Sequence, residues 1–265
     1  MLLLLLATAG MAFAAGDLPE RGARSAAMGG GGVAVGGDAW LALRNPALLA
    51  GSTAMAAVSS TPWRYGFTEL SSSAAAWTHT FAFCGAALTL TRSGSPLYRE
   101  TEAAVSAGTA FGAGLAIGMS ARMLNVAIER YGATTVPMVD VGATADALPS
   151  LTFGIRASNV TLSSLGGVVR DRLPSLMHLG AAWRADSTVL LLVDVEKDPR
   201  WPVLVRVGGE VQVGEALLFR AGSTLAPWTA SGGFAIRWQR FIVEYACQWH
   251  PDLGATHTFG IGFHP

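Results

Sequence analysis

"VLVRVGGEVQV", residues 203–213, alternates: Val203, Val205, Val207, Val211 and Val213 fall on one face of an extended chain, Arg206, Gly208, Glu210 and Gln212 on the other. A period of two marks a half-buried β-strand, because successive side chains point to opposite faces. The pattern recurs along the chain. Leu115, Ile117, Met119 and Met123 oppose Gly118, Ser120 and Arg122, and Val139, Val141, Ala143 and Ala145 oppose Asp140, Gly142, Thr144 and Asp146. Residues 177–184 and 241–249 repeat it, the latter with Phe241, Val243, Tyr245 and Trp249 against Glu244 and Gln248. Similar strands are expected at 151–156, 189–195, 217–223 and 234–238.

Charge follows the same alternation. Arg122, Asp140, Asp146, Arg156, Arg184, Asp194, Arg206, Glu210, Arg220, Arg237 and Glu244 all share the face opposite the bulky apolar side chains. An Arg or Lys facing lipid near mid-membrane costs about 2–4 kcal/mol, so a membrane barrel would have to segregate its charges in this way. A soluble sandwich with a dry core would segregate them too, so length and composition must decide. Mean hydropathy is +0.40. Only 14% of residues are charged. Yet beyond the N-terminus no apolar run is long enough for a membrane-spanning helix. The remaining way to live in lipid is a closed barrel, in which every backbone group is paired.

Breakers such as "RSGSP", "ERYGA", "EKDPRWP", "LAPWTASGG" and "HPDLGA" mark off about fourteen segments between Ser52 and Phe263. That spacing suits strands of about 9–11 residues joined by tight turns. Trp63, Trp183, Trp201, Trp228, Trp238 and Trp249 stand near segment ends, where interfacial aromatic girdles belong. The expected fold is all-β: a single transmembrane antiparallel β-barrel of about 14 strands with an N-terminal Gly/Ala-rich plug segment. Residues 2–13 form an apolar run followed by Ala12-Phe13-Ala14, the small-x-small pattern of a cleavage site. The expected division is a signal peptide at 1–14, a plug at 15–51 and the barrel at 52–265.

The N-terminal "ARSAAMGGGGVAVGGDAWLALRNPALLAG", residues 23–51, contains Gly29, Gly31 and Ala34 at the spacing of a dinucleotide-binding loop. No β-branched strand precedes it, and the spacing arises freely in glycine-rich sequence. The stretch resembles the N-terminus of the PorV/PorQ group of outer-membrane proteins, which is related to the FadL-type transporters of hydrophobic compounds. The similarity lies in Ala23-Arg24-Ser25, Gly29 to Val33, Asp38-Ala39 and Asn45-Pro46-Ala47. The closing "FIVEYACQWHPDLGATHTFGIGF" resembles that group's last hairpin, with its turn at Asp252-Leu253-Gly254. The resemblance implies a fourteen-stranded barrel whose N-terminal segment folds inside as a plug or hatch. Gly29, Gly30, Gly31, Gly32, Asp38, Asn45, Pro46 and Ala47 would form that plug. Arg122, Asp140, Asp146, Arg156, Arg206, Glu210, Arg220, Arg237 and Glu244 would face the lumen. It further implies residence in a bacterial outer membrane and a PorV-like accessory or shuttle role in protein secretion and surface attachment. Two alternatives stand beside that role: a small FadL-like passage for hydrophobic compounds such as fatty acids, and a structural or adhesive barrel. The expected partners are the lipid bilayer, with secretion-system proteins or hydrophobic small molecules.

Chemical motifs are not found. No G-x-S-x-G, H-E-x-x-H or Walker loop occurs, so neither catalytic residue nor cofactor is expected. His250, His257 and His264 recur every seven residues, but a strand's period of two scatters them, and no metal site is expected. Asp140 and Asp146 share a face about 20 Å apart along a strand, too far to act as an acid–base pair. Lys plus Arg equals Asp plus Glu at 18 each, which gives nucleic acid no electrostatic foothold. Cys84 and Cys247 could pair in an oxidising compartment or remain two small apolar side chains.

Overall fold

The computed structural model describes residues 22–112, 114–166 and 171–265. The expected signal peptide lies outside the described residues. In chain order the strands are β1 (Met55–Thr61), β2 (Ser72–Thr80), β3 (Gly85–Gly94), β4 (Tyr98–Ala110), β5 (Leu115–Ile128) and β6 (Gly132–Leu148). They continue with β7 (Leu151–Ala157), β8 (Ser164–Leu165), β9 (Asp171–Arg172), β10 (Met177–Arg184) and β11 (Val189–Lys197). The last are β12 (Leu204–Val213), β13 (Leu217–Leu225), β14 (Thr229–Trp238), β15 (Phe241–His250) and β16 (Gly254–Phe263). Fourteen of them close one antiparallel barrel, in which β1 pairs with both β2 and β16, and β8 and β9 form a separate two-stranded antiparallel sheet. Closure is set by register, with Val58 opposite Ile261 and Ala56 opposite Phe263.

Alternation in the sequence becomes inside and outside in the barrel. On β12, Val207 and Val211 are 39% and 44% exposed, while Arg206 and Glu210 are buried. Met119 on β5, Val193 on β11, Phe219 on β13 and Val243 on β15 extend this exposed apolar band around the wall. Tryptophans edge it at both ends. Trp63, Trp201, Trp228 and Trp249 sit at the end remote from the chain terminus, and Trp77, Trp183 and Trp238 at the end near Phe263. We call these the far end and the terminal end. Cys84, in the β2–β3 turn, and Cys247, on β15, are both free thiols.

Strand length departs from the uniform 9–11 residues expected. Strands β4, β5 and β6 have 13, 14 and 17 residues. By contrast β1 and β7 have only 7. Beyond Met123 the outward side chains of the tall wall turn polar, at Thr101, Asn125 and Thr135, so its far end stands clear of the apolar band. The ladder between β6 and β7 reaches only from Leu148 to Val141. Past that point the chain following β7 runs along β6's free edge, with the Val160 N–H donating to the Val139 carbonyl (2.9 Å) and the Ser163 hydroxyl to Pro137 (2.6 Å). Pro137 has no N–H, and this strand edge is where that lack is tolerated.

Candidate lumen site

Residues 22–51 lie inside the barrel as α1 (Ala23–Ala27), a loop, α2 (Leu41–Arg44) and a 3-10 helix (Pro46–Gly51). Ala23, Ala26, Ala47 and Leu49 are fully buried, and Trp40 is 1% exposed. Asn45 is the hub of the segment. Its extended backbone suits a residue before proline, and Pro46 opens the helix with a φ already helical. The Asn45 side-chain oxygen accepts from the Ala47 N–H (3.1 Å), capping that helix. Its amide donates to the carbonyls of Val33 (2.9 Å), Ala143 on β6 (3.1 Å) and Ile155 on β7 (3.3 Å). One side chain thus ties two parts of the plug to two wall strands.

The glycines that make this fit possible belong as much to the wall as to the plug. Gly85, Gly108, Gly118 and Gly142 stand directly opposite one another across β3, β4, β5 and β6, a row of missing side chains on the inner face. A Cβ on Gly118 would strike the Pro46 and Ala47 backbone, and one on Gly142 would strike the Asn45 side chain. The Gly208–Gly222 pair on β12 and β13 seats the Met28–Gly29 backbone in the same way. Within the plug, Gly29 and Gly32 have φ of +72° and +128°, which side chains rarely adopt. Gly31 faces the Leu192 and Asp194 side chains, where a Cβ would lie 2.6 Å from Leu192 Cδ1.

Backbone that approaches the wall this closely must find hydrogen-bond partners there. Asp194 on β11 accepts from the Gly32 and Val33 N–H groups (2.5 and 2.9 Å). Ser231 accepts from the Gly29 N–H (2.9 Å), and Thr224 donates to the Gly29 carbonyl (3.0 Å). Buried ions then bolt the segment in place. Arg24 pairs with Glu210 (2.7 Å) and Asp38 (3.3 Å), and Arg44 pairs with Asp38 (2.8 Å). Arg220 joins Glu210 (2.7 Å) to Glu244 (2.6 Å). Burial disfavours the charge on Arg24, but Glu210 and Asp38 outweigh it and hold the guanidinium above its usual value. Burial likewise pushes the Asp38 carboxyl upward, and the Arg44 and Arg24 charges overcome it to leave the group below the ordinary carboxylate range.

Above the plug the lumen changes character. Asp140 on β6, fully buried, meets Arg156 (2.5 Å) and Arg122 (3.2 Å) and accepts from the Asn159 N–H (2.9 Å). Arg122 also pairs with Glu102 (3.1 Å), and Arg156 donates to the Leu43 carbonyl of the plug. Arg206 pairs with Glu196 (2.6 Å) across the lumen wall. One step further toward the far end, Leu124, Val126, Val136 and Met138 turn inward and pack under Leu173, with Leu165 beside them. Asp146 and Arg237, expected to face the lumen, lie exposed at the terminal rim. There Asp146 accepts from Thr152 (2.6 Å), and Arg237 donates to Gln212 (3.0 Å).

Sequence reasoning assigned no role to Arg44, Glu102 or the inward leucine and valine tier, and it left the wall glycines unread. The glycines did leave a signal, since Gly118, Gly142 and Gly208 share the parity of the charged residues.

No family model and no curated protein matches the chain. Solved structures do. The monoaromatic hydrocarbon channel CymD superposes with a TM-score of 0.71 at 13% identity, covering 94% of this chain and 98% of that one. The toluene transporter TbuX of Ralstonia pickettii gives 0.60 at 12% identity over 94% and 100% of the two chains. A Pseudomonas aeruginosa FadL homologue gives 0.65 at 12% over 92% and 98%. At this level of identity the likeness is one of fold, and the fold is that of the FadL-type barrel: fourteen antiparallel strands closed into one wall.

Proposed function

We propose that the protein is a non-enzymatic passage for small hydrophobic molecules across a bacterial outer membrane, reached after export on a cleaved N-terminal signal. The far end faces the outside, and residues 22–51 are the hatch that closes the inner end. One observation carries the reading: Leu124, Val126, Val136, Met138, Leu165 and Leu173 form an apolar tier in the far half of the lumen, separated from the hatch by the Arg122–Asp140–Arg156 layer. Lipid contact does not explain inward apolar side chains, whereas a place for an apolar molecule does. Similarity to hydrocarbon channels supports this reading over the secretion-accessory role, which rests on the N-terminal motif. The test is uptake by a complemented strain lacking other such channels. Entry of toluene well above the empty-vector rate is expected, with the protein in the outer-membrane fraction. Background uptake together with co-purifying secretion proteins would replace this reading with the accessory role.

A further inference from the structure

We propose that three neighbouring turns of the terminal rim are seated in the lipid leaflet on that side, so that one arc of the barrel ends in lipid and the other in water. The proposal concerns the outer surface of the barrel and is independent of what passes through it. Turns between consecutive strands close the terminal end, and they divide into two arcs. Those from β10 to β15 carry Asp186, Glu215 and Arg240, all exposed. Those from β2 to β7 carry no ionisable side chain beyond the Cys84 thiol. Here instead Phe83 is 80% exposed, Phe111 69% and Leu148 58%, with Phe81 and Leu115 beside them. Exposed apolar side chains gathered on one arc mark a surface that another phase or molecule covers. Asp146, at the same rim, has the parity of the inner face and bonds Thr152, so it does not interrupt that surface.

Lipid is the cover that the surroundings favour, because the arc continues the apolar band of the wall. On the outer face of β2, Trp77 stacks on His79 (5.6 Å) and His79 meets Phe81 edge-on (4.8 Å), a column that leads from the wall into the turn. On β5, Ile117 and Met119 carry the band on from Leu115. Lipid that covers Trp77 therefore extends to Phe83, whereas a protein partner would have to part the two. Backbone pairing in these turns fits the same surroundings, since a peptide group beside hydrocarbon must find its partner within the protein. The Phe81 N–H donates to the Cys84 carbonyl (2.8 Å), the Phe111 N–H to Leu115 (2.7 Å) and the Asp146 N–H to Gly114 (2.7 Å). The Thr109 hydroxyl donates to the Phe83 carbonyl (2.7 Å), which ties the β2–β3 turn to β4.

Phe83→Cys, Phe111→Cys, Ser187→Cys and Glu215→Cys, made singly in a Cys84→Ser, Cys247→Ser background, test the proposal in phosphatidylcholine nanodiscs. All four sites are exposed on the protein, so shielding at any of them comes from lipid. A charged methanethiosulfonate reagent should modify Ser187→Cys and Glu215→Cys roughly tenfold faster than the other two, because an ion does not enter hydrocarbon. A nitroxide on Phe83→Cys should collide more with oxygen than with a nickel chelate, and one on Ser187→Cys the reverse. Should Phe83→Cys fail to insert, native Cys84 in a Cys247→Ser chain carries the nitroxide in the same turn. Equal modification rates at the four sites in folded, heat-modifiable protein would overturn the proposal. Protection of Phe83→Cys in isolated outer membranes but not in nanodiscs would also overturn it, and would assign the arc to a protein partner.

Discussion

The two halves of the lumen are built by the same strands and filled in opposite ways. At the terminal half, β5 and β6 present Gly118 and Gly142, and the Pro46–Ala47 backbone and the Asn45 side chain of the plug lie directly on them, held by buried ion pairs. A few residues further along the same inward faces they present Leu124, Val126, Val136 and Met138, and the contact is side chain to side chain. The first kind of contact is directional. Every hydrogen bond and ion pair must be met, and a single added methyl group strikes backbone that has nowhere to go. The second is non-directional and tolerates exchange of one apolar occupant for another of similar size. The Arg122–Asp140–Arg156 layer divides the two, and in the proposed passage the first chemistry suits a closure that seats in one way and the second a site that accepts a guest.

The largest expected break in this comparison is Asp38→Asn. It leaves Arg24 and Arg44 facing each other without their shared carboxylate, and removing one partner of a buried ion pair costs about 3 kcal/mol or more. The plug should become sensitive to added protease in folded barrels, while toluene binding at the apolar tier stays. A plug still protected in this variant would mean that the glycine seats alone hold it.

Leu173→Ala attacks the other half. Trimming a buried leucine typically costs about 2–5 kcal/mol, toward the lower end where neighbours can collapse into the space. The loss should appear in hydrogen exchange of the chain between β7 and β10, with protection of residues 22–51 unchanged. Loosening of both halves together would show that the ionic layer couples them instead of separating them.

Gly118→Ala tests the wall seat, with overpacking of about 1–3 kcal/mol expected from a Cβ against Pro46 and Ala47. The informative control is the same substitution in a barrel lacking residues 22–51. There the clash has no partner, and alanine should be neutral or better, since glycine weakens a strand. A planar-bilayer measurement belongs to the same pair, because the truncated barrel should conduct ions far better than the full chain. Equal destabilisation with and without the plug would move the cause into the wall itself.

The smallest expected effect is acidification. Asp38 is held below its unfolded value of about 3.9, so its contribution is fully present above that pH and is lost only as pH falls through the lower folded value. Protease protection of the plug should therefore be flat from pH 7 to about pH 4 and decline in stronger acid, and Asp38→Asn should abolish that decline. Loss of protection already near pH 6 would implicate another group.

Much of the barrel was legible in the chain, because a period of two is a local property that the backbone itself enforces. The outward face of Val207 and Val211 and the inward face of Arg206 and Glu210 follow from that period, and the strand count and the tryptophans at strand ends follow from the turn residues that divide the chain. The N-terminal motif marked the segment that lies inside, and Asn45 and Pro46 could be read as a turn from their backbone preferences. Other features depend on the vertical position of a residue, which alternation does not encode. Asp146 and Asp140 share one parity on one strand, yet Asp146 is exposed at the rim while Asp140 is buried among two arginines and an amide. Partner choice across the lumen, as between Arg24 and Glu210, joins residues 186 positions apart, and only closure of the sheet brings them together. Gly118 and Gly142 were visible on the inner face from the start, but a missing side chain acquires a purpose only when another part of the chain fills the space. The sequence by itself determined which way each residue of the wall faces. The tertiary structure alone decided at what height each one sits and what it meets there, because height is set by strand stagger and by the plug, both products of long-range pairing.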